Sequence, residues 1–101
     1  MRIRQQKQIG IFLAESFGGD RGGALFARQE EILQEIIRNT QNRSKNQRKT
    51  LVQTILPRIA LYKAMQESLP EAETHAQMRR YMLERVAAQK HAEMMRMEAI
   101  P

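Results

Sequence analysis

Ile55-Leu56-Pro57-Arg58-Ile59-Ala60-Leu61-Tyr62-Lys63-Ala64 sets a proline inside a run that is otherwise helical in its spacing. Apolar residues recur at Leu51, Val52, Ile55, Leu56, Ile59 and Tyr62. Those three-and-four intervals predict one buried face of a helix. Pro57 falls in the middle of that face. It cannot donate to the carbonyl four residues back and its ring crowds the preceding turn, at roughly 3 kcal/mol in an ordinary helix interior. The run therefore predicts a bent helix, with the backbone disturbed near Gln53.

Three further helical segments are readable around this one. The first spans about Arg2 to Phe17, with Ile9, Phe12, Leu13 and Phe17 on one side. It is expected to stop at Gly18-Gly19, where glycine takes up helix-ending geometry. Asp20 is placed to cap the next segment, which runs to about Asn39 with Leu25, Ile32, Leu33, Ile36 and Ile37 as its stripe. The cluster Gly18-Gly19-Asp20-Arg21-Gly22-Gly23 invites comparison with a phosphate loop, but it lacks the Gly-Lys-Ser/Thr ending and follows no strand. An interhelix turn is the better reading.

Asn39 to Arg43 reads as a polar turn, and Ser44 with Gln47 forms a capping box for the proline helix. Ser68 with Glu71 repeats that pattern, and Pro70 suits a first helical turn. The last segment, about Glu71 to Met97, carries Ala76, Leu83, Val86, Ala87 and Met94 near one face. The expectation is an all-α fold: a small bundle of about four helices around a proline-kinked central helix. The first and last segments should cover that helix incompletely. Surplus apolar surface then predicts self-association or a helical partner, through Met94, Met95, Met97 and the apolar face of the last helix.

Composition narrows the chemistry. The chain has no cysteine, which removes disulfides, thiolate nucleophiles and Cys-ligated zinc. The basic start, Met1 to Lys7, precedes an apolar stretch too short for a signal peptide, and no segment has the apolar length of a membrane span. A cytoplasmic, membrane-free protein is the expectation. The net charge is +6, and five of those surplus charges sit in Arg38, Arg43, Lys45, Arg48 and Lys49, within a segment devoid of acids. Such a patch can follow a phosphate backbone, but it holds no aromatic residue for base stacking, so nucleic acid ranks below a solvated turn.

His75 and His91 are the only histidines. Sixteen residues apart on one helix they point roughly 160° from each other, so they share no metal, and no cofactor is implied. His91 has the chemistry of a general base. Arg58 presents a planar fork that suits a carboxylate, and Tyr62, one turn on, combines a packing ring with a phenol donor.

The blocks taken together, Gln47 to Thr54, the proline helix, Tyr81 to Ala88, and then His91, Met94, Met97, Glu98, Ile100 and Pro101, resemble the L-2-amino-thiazoline-4-carboxylic acid hydrolase family. The likeness is best over residues 44–101. Those proteins are bacterial, roughly twice as long as this chain by domain size, and open a small carboxylated thiazoline ring with water on a route to cysteine. The resemblance implies that residues 1–101 form a single helical domain, the N-terminal half of a longer hydrolase whose polar and cysteine-bearing chemistry lies in the other half. It implies His91 as a catalytic residue and Arg58 and Tyr62 as substrate-binding residues. It further implies a small carboxylate as substrate once that other half is present, and a chain inactive alone.

Overall fold

A computed structural model describes residues 4–40 and 49–99. Helix α1 spans Arg4–Phe17 and α2 spans Gly19–Asn39. A π-helical turn, Leu51–Ile55, leads into α3, Leu56–Ser68, and α4 is Glu71–Ala99. Among the described residues the fold is all-α, with four helices and no strand. The chain divides into two compact units, Met1–Leu69 and Pro70–Pro101.

In the first unit, α1 and α2 are joined by Gly18 alone. Its φ of 83° and ψ of 169° lie in a region that is essentially reserved for glycine. Gly18 N–H closes α1 by donating to the Ala14 carbonyl at 3.0 Å, and its own carbonyl accepts from Gly22 N–H at 2.8 Å. The guanidinium of Arg21 stands 5.6 Å from the centre of the Phe17 ring at the corner, a cation–π distance. The expected break at Gly18-Gly19 is therefore one residue shorter than predicted: Gly19 opens α2, and Asp20 lies in its first turn rather than at its cap.

Gly22 is a helix residue for a different reason. A Cβ there would stand 2.6 Å from the Leu13 carbonyl oxygen and 3.0 Å from the Ala14 nitrogen. Further along the hairpin, a Cβ at Gly10 would stand 3.8 Å from the Phe26 ring. These pairs run in opposite directions along the two helices, so α1 and α2 form an antiparallel hairpin with backbones in close approach. Ile9, Phe12, Leu13 and Leu25 are buried in this unit.

Helix α3 returns antiparallel to α2. Ile32, Leu33, Leu56, Ala60 and Ala64 form a buried cluster, against which Ile36, Ile37, Leu51 and Val52 pack. At the other end, Arg28 of α2 grips Glu67 of α3, with Nε at 2.6 Å from Oε2 and Nη2 at 2.9 Å from Oε1, while Nη1 reaches Glu31 at 3.0 Å. This bidentate hydrogen bonding raises the Arg28 pKa and holds the Glu67 carboxyl below the usual range.

The Ser44–Gln47 capping box lies outside the described residues, as do Arg43, Lys45 and Arg48. At the end of α2, both the backbone N–H and the hydroxyl of Thr40 donate to the Ile37 carbonyl, at 3.1 and 3.0 Å.

Candidate functional site

The predicted proline helix is continuous. Thr50, Ile55 and Leu56 all have right-handed helical dihedrals, so Pro57 lies within one helical stretch and not at a linker. The disturbance takes the form of a π-turn. Leu56 N–H donates to the Leu51 carbonyl five residues back, and the Thr54 hydroxyl donates to the Thr50 carbonyl at 2.6 Å. A widened turn gives the proline ring room where an α-turn would press it against the preceding carbonyl.

This turn also corrects the predicted buried face. One extra residue in the turn rotates everything that follows by about 100°. Leu51 and Val52, expected to be buried, are half-buried; Leu56 is buried as expected, and the buried face continues through Pro57, Ala60, Leu61, Ala64 and Met65. Ile55 and Ile59, which a plain α period puts in the core, are each 40% exposed.

Behind Pro57 lies the fully buried Gln29, whose Nε2 donates to the Pro57 carbonyl at 3.4 Å. Its Oε1 is buried with no hydrogen-bond partner. Sequence reading missed Gln29, because a polar residue adjoining a helical stripe looks like its solvent edge.

Arg58 and Tyr62 sit one turn apart on α3, both half-buried, and so share one side of the helix. Arg58 Nε donates back to the Thr54 carbonyl at 3.2 Å, which ties the side chain to the π-turn. His91 is exposed on α4, in the other compact unit. Among the described residues no group of three or more His, Asp or Glu side chains is placed to hold a metal ion. No described helix is long and apolar enough to cross a membrane.

Helix α4 does not bury its predicted stripe. Ala76, Leu83, Val86, Ala87 and Met94 are all exposed, and so are Met95 and Met97. A shallow open depression of about 400 Å³ runs along this helix, lined by Ala76, Arg79, Arg80, Leu83, Glu84 and Ala87. Arg80 Nε is held by Glu84 at 3.2 Å.

The described residues form an all-α protein with a polar pair at a π-turn and a long helix whose apolar stripe is exposed. No family model, curated protein or solved structure matches the chain.

Proposed function

We propose that this chain supplies the helical part of a hydrolase resembling the L-2-amino-thiazoline-4-carboxylic acid hydrolases, and that it is inactive by itself. The observation that supports this reading is the pairing of Arg58 and Tyr62 on one side of α3, beside the π-turn forced by Pro57. Arg58 would hold the substrate carboxylate through its guanidinium N–H groups, and Tyr62 would pack against the ring and direct its phenol to a ring heteroatom. His91 would take a proton from the attacking water once the remainder of the enzyme brings substrate to it. Because the chain has no cysteine, any thiol chemistry of such a hydrolase would have to come from the rest of the enzyme.

The test has two arms. The purified chain should not open 2-amino-thiazoline-4-carboxylate. The gene should read on past the codon for Pro101 into a frame that contains Cys, His and Asp. In the resulting protein, Arg58→Ala and Tyr62→Phe should each lower kcat/KM at least tenfold. A stop codon at that point, or full activity in both variants, overturns the proposal.

A second reading, a helical binding module, is favoured by the exposed apolar side chains of α4. Its nucleic-acid branch leans on Arg38 and Lys49, both exposed. It predicts oligonucleotide binding at low salt that weakens steeply as salt is added.

A further inference from the structure

Along α4, Ala76, Leu83, Ala87 and Met94 fall within about 20° of one line at 100° per residue. All four are exposed, Leu83 at 65% and Met94 at 60%. Their spacing is seven, four and seven residues. That series reads the same in both directions.

A second α4 laid antiparallel across the first therefore meets it layer for layer. Ala76 faces Met94 of the second copy, Leu83 faces its Ala87, and the two-fold axis repeats both pairs. Every layer joins one alanine to one large side chain, which is the large-against-small filling that close helix packing needs. Ala76, Leu83 and Ala87 share one shallow, open surface along the helix.

Charge permits the same arrangement. The whole chain is +6, but α4 carries five carboxylates and five Lys or Arg side chains, so two copies of this helix do not repel through net charge. In the antiparallel register Arg79 comes beside Glu93 of the second copy. Arg80 shares a level with the second copy's Lys90, and its charge is countered by Glu84 at 3.2 Å. Both long stems can lie over the stripe with their charged ends in water.

We infer that α4 is a self-docking surface that pairs two copies of this chain antiparallel about an axis that passes between Leu83 and Ala87, on the face opposite Arg85. The inference is independent of the hydrolase reading, since it requires no substrate and no catalytic group. A closed two-fold contact of this kind uses the same patch on both copies.

The test is sedimentation or light scattering of the chain across micromolar concentrations, with circular dichroism as a check on folding. The wild type should dimerise, and Leu83→Glu, at an exposed position, should give a monomer of unchanged helicity. Leu83→Ala should weaken association at least tenfold. The double swap Leu83→Ala with Ala87→Leu should restore it to within about threefold, because the layers exchange members and keep their fit.

As the chain has no cysteine, Leu83→Cys and Ala87→Cys variants report register directly. On oxidation the mixed pair should cross-link and Leu83→Cys alone should not. A monomer throughout, a dimer indifferent to Leu83→Glu, or efficient cross-linking of Leu83→Cys with itself would overturn the inference.

Discussion

Gly22→Ala should destabilise the first unit although alanine is the better helix former. The new Cβ would lie 2.6 Å from the Leu13 carbonyl oxygen and 2.8 Å from its carbon, where ordinary contact begins at 3.4 Å. The blocking atoms are backbone, so no side chain can rotate away, and the hairpin must open by about 0.8 Å. A gap of that size forfeits about a quarter to a half of each dispersion contact along the crossing. Overpacking typically costs about 1–3 kcal/mol, and a backbone obstacle places this site near the top. The improved helix propensity returns about 1 kcal/mol. The net loss is about 2 kcal/mol, or about 10 °C in Tm for a chain of this size. Gly23→Ala is the control, because a Cβ there meets nothing within 4 Å. It should stabilise by about 0.5–1 kcal/mol. Urea unfolding followed by helical circular dichroism gives both values. If Gly22→Ala proves as stable as Gly23→Ala, the close approach does not exist and the reasoning fails.

Three other outcomes are expected. Gly18→Ala should cost about 1–3 kcal/mol through backbone strain alone, since a Cβ there meets nothing within 4 Å; an unchanged urea midpoint would show that the joint has another geometry. Gln29→Met removes a buried oxygen that lacks a partner and should be neutral or stabilising by about 1 kcal/mol, whereas a loss of more than that would mean the long bond to Pro57 matters more than the orphaned oxygen. The Glu67 carboxyl is held below its unfolded value of about 4.3. Its contribution is therefore complete above that value and is lost as pH falls through the lower folded pKa. Wild type should lose more Tm between pH 6 and pH 3 than Glu67→Gln, with the difference shrinking in high salt because both partners are partly exposed. Equal losses would refute that linkage.

The helices themselves were legible because their signals are local. Apolar spacing, Gly18 and the Ser68–Pro70 boundary each act over a few residues, and the all-α arrangement follows from them. What escaped depended on contacts between distant segments. Gly22 reads as turn material until Leu13 is seen against it, and Gln29 reads as surface until Pro57 is seen above it. The π-turn is an intermediate case. Pro57 announces a disturbance, but whether the chain kinks or inserts a residue depends on which face then meets Ile32 and Leu33, and so Ile55 and Ile59 were assigned to the wrong side. For the site, Arg58 and Tyr62 were brought to one side of α3 by simple periodicity. Their relation to His91 depends on two separate compact units, and no sequence interval encodes that.

The single-residue joint at Gly18 also bears on the order of folding. Contacts across the α1–α2 hairpin, such as Leu13 with Gly22 and Gly10 with Phe26, link residues close in the chain, while Arg28 and Glu67 are 39 residues apart. Loop-closure entropy rises by about 0.6 kcal/mol for each doubling of length, so the contacts beside the Gly18 joint, between Leu13 and Gly22, are the least costly to close. Once formed, the hairpin offers α3 a preassembled surface, and the slow step becomes the search of one helix for its register on two. The π-turn belongs to that second step. Substitutions at the joint should therefore retard folding, whereas substitutions around Pro57 should chiefly hasten unfolding.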